Sequence, residues 1–138
     1  MKYLFLLLLV PSISNAAREM AQIPEYTQIH KPFLATTCFG SRNQHEMDQC
    51  GEKSLAKAKE RMARILAALK VNYKTSEPDL QKYLEKSQAS WEKYEVSSCK
   101  FETYDSRDGS GFYSIWNECL ESKINERISY LSWMLDNP

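Results

Sequence analysis

Leu55-Ala56-Lys57-Ala58-Lys59-Glu60-Arg61-Met62-Ala63-Arg64-Ile65-Leu66-Ala67-Ala68-Leu69 decides the fold. Leu55, Ala58, Met62, Ile65, Leu66 and Leu69 recur at steps of three and four, the spacing of one buried face of an α-helix. Lys57, Glu60, Arg61 and Arg64 fill the other side and read as a solvated helix surface. The pattern starts at about Asn43 and is expected to end before Val71-Asn72-Tyr73-Lys74-Thr75, which reads as a connection.

A second helix is marked by Ser76 as a capping residue, Pro78 in the first turn and Asp79 three residues after the cap. Leu80, Leu84, Trp91, Tyr94 and Phe101 form its expected apolar stripe, with Ser87 and Ser98 between them. It should fade near Thr103. Asp105-Ser106-Arg107-Asp108-Gly109-Ser110-Gly111 is built of turn formers throughout. Beyond this loop Trp116, Leu120, Ile124, Ile128, Leu131 and Leu135 again follow helical spacing, with Cys119 and Arg127 on the same side. No alternation of apolar and polar residues suggests a strand. The expected fold is all-α: an antiparallel three-helix bundle behind an extended N-terminal arm.

Composition agrees. The chain has 138 residues, 43% apolar and 12% aromatic, enough for one core and too apolar for a disordered chain. Four glycines and five prolines are few for an all-β protein. Lys and Arg number 18, as do Asp and Glu. That balance argues against a nucleic-acid partner, which calls for a basic excess.

The N-terminus reads as a secretory leader. Lys2 precedes the eight-residue apolar run Tyr3–Val10, Pro11 breaks it, and Ser14-Asn15-Ala16 offers small residues at a cleavage site. A membrane span needs about 20 apolar residues, so none is expected after the leader is removed. The expected organisation is a signal peptide over 1–16, an arm over 17–40 containing Pro24 and Pro32, and a helical domain over 41–138. Removing Lys2 leaves a net charge of −1. The expected location is the periplasm or the medium.

Export changes the meaning of Cys38, Cys50, Cys99 and Cys119. An even set in an oxidising compartment implies two disulfides. The gaps of 12, 49 and 20 residues include no close pair of the kind that structural zinc sites use. Cys99 lies about one turn before the loop and Cys119 about two turns after it. In an antiparallel hairpin they come level, within reach of a disulfide. Cys38 and Cys50 then pair by default, although a crossed pairing is also open, because Cys50 belongs to the same end of the bundle.

Trp91-Glu92-Lys93-Tyr94-Glu95-Val96-Ser97-Ser98-Cys99 resembles the centre of the lysozyme-inhibitor LprI-like family. That family's pattern is Trp, two residues, Tyr or Phe, usually Arg, three residues, then Cys. Downstream, Cys119-Leu120 follows a Gly-rich loop, Arg127 comes eight residues after the Cys, and Leu131 four later. Upstream, Glu46-Met47 with Cys50 three residues on matches the family's approach to its first helix. The resemblance covers about residues 38–135 and makes Trp91, Tyr94 and Arg127 its core motif. It departs at Glu95, where the family usually has Arg, and at Ile124, where it often has Thr. Lys59, Met62 and Ala63 replace an Asp and Leu-Asn signature. What the resemblance implies is a small exported helical domain and, for some members, inhibition of lysozyme. A divergent member keeps such a scaffold more reliably than a binding surface.

Catalysis finds little support. His30 and His45 are the only histidines, no His-Glu-x-x-His occurs, and no Gly-rich phosphate loop follows a strand. Asp105 and Asp108 sit on a wet loop, which does not raise a carboxyl pKa as general acid catalysis requires. Neither a cofactor nor a metal site is expected. Trp91, Tyr94, Trp116 and Trp133 admit a glycan-binding reading, but Trp91 and Trp116 fall on apolar stripes and read as core. Trp133 lies off its stripe. The expected binding element is Thr103–Gly111, with Tyr104, Asp105, Arg107 and Asp108. A guanidinium on a protruding loop suits the acidic cleft of a muramidase. Two functions compete: a lysozyme inhibitor that blocks the cleft, and a cell-envelope interaction module whose partner is another protein or a glycan.

Overall fold

The computed structural model describes Phe33, Cys38 and residues 40–137. The leader and most of the arm lie outside the described residues. Three long helices follow one another: α1 (Gln44–Ser76), α2 (Pro78–Glu102) and α3 (Phe112–Asp136), with a 3-10 turn at Tyr104–Ser106. Among the described residues there is no strand. The chain runs up, down and up, so α1 and α3 are parallel and α2 is antiparallel to both.

α1 begins where Asn43, in extended backbone, accepts the amide of Glu46 at 2.9 Å through Oδ1. Glu46 reaches back to the amide of Arg42 at 2.9 Å. These two bonds satisfy amides that no preceding turn can serve. The expected connection at residues 71–75 is instead helical, a correction with a plain cause. Tyr73 is buried four residues after Leu69 and extends the apolar face. No Gly or Pro interrupts the segment before Pro78. Proline then disfavours helical backbone in the residue before it: Glu77 adopts φ −143°, ψ 78° and is the single residue between α1 and α2. Ser76 is therefore the last residue of α1, and the N-cap position of α2 belongs to Glu77, whose side chain makes no cap bond.

The core lies between α1 and α3. Leu55, Ala58, Met62, Leu69 and Tyr73 meet Leu120, Ile124 and Leu131, with Ile65, Leu66, Trp116, Ile128 and Leu135 packed around them. Leu69, Ile124 and Leu131 are at most 1% exposed, each worth about 1.5–3 kcal/mol in burial. Polar bonds fix the register: Ser54 donates to Glu121 at 2.7 Å, and Arg61 to Asn125 at 2.8 Å. Asn125 in turn donates to the carbonyl of Phe33, tying the arm to this seam.

α2 packs on that pair with an inner face that keeps Leu84 and Trp91 of the expected stripe but not Leu80, Tyr94 or Phe101. Tyr94 is 57% exposed and Phe101 83%. Leu84, Gln88, Trp91, Glu95 and Cys99 face inward instead. The disulfide sets this phase. Cys99 must face α3, and at about 100° per residue Phe101 is carried round to the outer side. Gln88 and Glu95 are thus buried polar groups on the inner face. Gln88 bonds Glu92 and approaches the sulfur of Met62. Burial pushes the carboxyl of Glu95 up to about 7, against the pull of the Lys59 ammonium, and the Glu92 charge adds to the rise.

Candidate functional site: the disulfide-braced end of the bundle

Both disulfides close at the end where α1 and α3 begin and α2 stops. Cys99 and Cys119 are bonded with Cα atoms 5.8 Å apart, and Cys38 and Cys50 with Cα atoms 6.0 Å apart. The crossed pairing is thereby excluded. The loop 103–111 springs from the first of these bridges.

Its base is rigid. Thr103 is buried and donates through Oγ1 to the carbonyl of Cys99 at 2.8 Å, while its amide reaches the same oxygen at 3.0 Å. Glu102 holds Lys123 at 2.7 Å, with both side chains mostly buried, and accepts Ser98 at 2.9 Å. Glu102 and Lys123 escaped the sequence reading, yet their spacing contains the signal. Glu102 follows Cys99 by three residues and Lys123 follows Cys119 by four, so each shares its half-cystine's helix face.

The loop is a succession of tight turns. Amides of Ser106, Arg107, Gly109 and Phe112 each donate to a carbonyl three residues back. Gln44 donates to Asp48 at 2.7 Å and to Ser114 at 2.9 Å, and Ser114 donates to Asp48 at 2.5 Å. These bonds join the start of α1 to the start of α3. Ser114 and Gln44 hold the carboxyl of Asp48 below its usual range.

The structure brings three of the four expected loop residues together. The guanidinium carbon of Arg107 lies 4.0 Å from the ring centroid of Tyr104, and Nη1 donates to the Tyr104 carbonyl at 2.8 Å. Asp108 sits 3.6 Å from Arg107 Nε. Tyr104, Arg107 and Asp108 are exposed. Asp105 is exposed on the 3-10 turn and joins no side chain among the described residues.

Trp91 and Arg127 meet further down the α2–α3 seam. Arg127 places its guanidinium carbon 5.7 Å from the Trp91 ring and 5.3 Å from that of Tyr130. It donates to Gln88 at 3.3 Å and to Ser87 at 3.0 Å. Desolvation depresses its pKa. Tyr94, expected beside them in the core, is on the outer surface. Trp133 is exposed, as its place off the stripe suggested. His30 lies outside the described residues; His45 is exposed and pairs with Gln49 at 3.0 Å. Among the described residues no group of three His, Cys, Asp or Glu side chains is arranged to hold a metal, and no helix is long and apolar enough to cross a membrane.

The family model of lysozyme inhibitor LprI matches residues 37–131. The chain belongs to this family. No match is found among the curated proteins or the solved structures. The LprI match spans α1, α2, the loop, all four cysteines and α3 as far as Leu131. The LprI spacing of Trp91, Cys99, Cys119 and Arg127 acquires a geometric reason here. The disulfide sets two antiparallel helices level, and about two turns further along the same seam the arginine meets the tryptophan.

Proposed function

We propose that this LprI-family protein is exported, with cleavage after Ala16, and acts as a binding protein that inhibits lysozyme by occluding its cleft with the loop 103–111. The observation that carries the reading is the Tyr104–Arg107 stack on a disulfide-braced loop, in a chain that belongs to a lysozyme-inhibitor family. A muramidase cleft is lined by acidic groups. Arg107 uses one Nη1 proton on the Tyr104 carbonyl and turns Nε towards Asp108. Its Nη2 has no acceptor among the described residues, so N–H groups of the guanidinium are available to a carboxylate.

Rigidity is the second support. A flexible loop loses conformational freedom on binding, whereas this one is already held by its turns, Thr103 and the bridge below. An ion pair in water is worth little, but the same pair inside a cleft that excludes water is worth considerably more. Two exported disulfides and the absence of a spanning helix among the described residues accord with a periplasmic or extracellular location. The mechanism needs recognition only, with no bond made or broken by this chain.

The test is a bacterial-wall clearing assay with lysozyme. The mature protein should slow clearing, and Arg107→Ala should relieve most of that inhibition while leaving the helical content unchanged. Full inhibition by Arg107→Ala would remove the loop from the account. Clearing of walls by this protein alone would contradict an inhibitor.

A further inference from the structure

The outer surface of α2 has a charge arrangement that the lysozyme reading leaves unused. At about 100° per residue, Lys82, Lys86, Lys93 and Lys100 fall within about 40° of one another. Tyr83, Tyr94 and Phe101 fall within about 20° of one another on the adjoining flank. Three lysines are each followed directly by a ring: Lys82-Tyr83, Lys93-Tyr94 and Lys100-Phe101. All seven side chains are exposed, Phe101 to 83%. Ser90 and Ser97 occupy the strip between the two rows.

Most acids of the same helix are turned away or paired. Glu95 is buried, Glu102 is held by Lys123, and Glu85 lies 3.7 Å from Lys70 of α1, while Glu92 accepts Gln88 and stays exposed beside Lys93, on the side of the lysine row away from the rings. Asp79 is taken by Lys82 at 3.0 Å. Lys86, Lys93 and Lys100 have no carboxylate partner among the described residues. All four lysines of α2 thus share one helix face, beside a row of rings.

We propose that this face of α2 binds a linear, carboxylate-bearing glycan of the cell wall. Lys86, Lys93 and Lys100 offer one ammonium every seven residues, about 10 Å along the helix. That is comparable to the disaccharide repeat of an extended β-1,4-linked wall glycan whose units carry their carboxylates on peptide stems. Tyr94 and Phe101 recur with the same seven-residue step and offer flat faces to the C–H faces of sugar rings, while the serines offer hydroxyls. A bilayer fits less well. The rings are separated by serines, and two of the three, Tyr83 and Tyr94, end in phenolic hydroxyls, so they form no continuous apolar face that could sink into acyl chains. This inference concerns α2 alone and stands whether or not the loop inhibits lysozyme.

The test is co-sedimentation of the mature, oxidised protein with purified peptidoglycan sacculi. Wild type should sediment with sacculi at low salt and be released as salt is raised. Replacing Lys86, Lys93 and Lys100 together by Gln should weaken retention about tenfold, the loss of three partly screened contacts. Tyr94→Ala with Phe101→Ala, and amidation of the wall carboxylates, should each weaken it comparably. Lys53→Gln with Lys57→Gln, on exposed positions of α1, should leave it unchanged; circular dichroism serves as the folding check for every variant. Three results would overturn the proposal: no retention on sacculi, equal loss with the α1 variant, or stronger retention on vesicles of phosphatidylglycerol and phosphatidylcholine in equal parts.

Discussion

The guanidinium carbon of Arg127 stands 5.7 Å from the ring of Trp91, and this contact joins α3 to α2 across a seam that otherwise buries few apolar groups. The α2 side of that seam contributes Cys99 as its one fully buried apolar residue, with Leu84 and Trp91 partly covered. Gln88 accepts from Arg127 in the same place. α2 is therefore held by the disulfide, by this arginine and by the Glu102–Lys123 pair more than by packing.

Arg127→Ala should destabilise the fold by about 2–3 kcal/mol, from a lost cation–π contact and a buried Gln88 oxygen left without its donor. Arg127→Lys should recover little of this, because a single ammonium cannot face both rings and serve Gln88 and Ser87 together. Urea denaturation followed by circular dichroism measures both. Wild-type stability in Arg127→Ala would show that the seam is held by other means.

Glu95 makes stability depend on pH. Its folded-state pKa of about 7 lies above that of an unfolded glutamate. The native state therefore binds the proton more tightly. The contribution is complete below the unfolded value and is lost as pH rises through the folded one. Thermal unfolding should show stability falling between about pH 5 and about pH 8. Glu95→Gln should flatten that slope and raise the melting temperature at the upper end. An unchanged slope would mean that another group titrates.

Breaking the Cys99–Cys119 bridge by the double replacement with Ser should cost about 3 kcal/mol, the entropy of closing a loop of this length in the unfolded chain. The same variant releases the base of the loop, so its lysozyme inhibition should fall more steeply with temperature than that of wild type. Calorimetry and the clearing assay, run on one preparation, separate the two effects.

The helices were legible because Leu55 to Leu69 and Trp116 to Leu135 repeat with a period that only a helix satisfies, and the loop because Asp, Ser and Gly crowd together at 105–111. The end of α1 was misplaced because Asn72 to Thr75 is polar, while the true stop is a steric effect of Pro78 on the residue before it. The phase of α2 was misread because Tyr94 and Phe101 are apolar by type, whereas Gln88 and Glu95 are polar and inward. Hydropathy has no means of placing a buried carboxyl, and only the half-cystine at 99 fixes that rotation. Tyr104, Arg107 and Asp108 could be chosen from their neighbourhood in sequence; the stacking of Arg107 on Tyr104 needed coordinates.

Arg107 is exposed and contributes to no core, so Arg107→Ala should change the unfolding free energy by less than about 0.5 kcal/mol. Tyr104→Ala should behave alike in stability and weaken inhibition by a smaller factor, because it removes the surface on which the guanidinium rests. A stability loss in either variant, seen in urea titration, would assign the pair a structural duty instead.

The most direct measurement is calorimetric titration of the mature protein into lysozyme, with and without a chitin oligosaccharide that fills the lysozyme cleft. Cleft occlusion by the loop predicts a one-to-one complex that the oligosaccharide abolishes competitively and that Arg107→Ala weakens. Binding of undiminished strength to the saccharide-filled enzyme, or no binding at all, would contradict it.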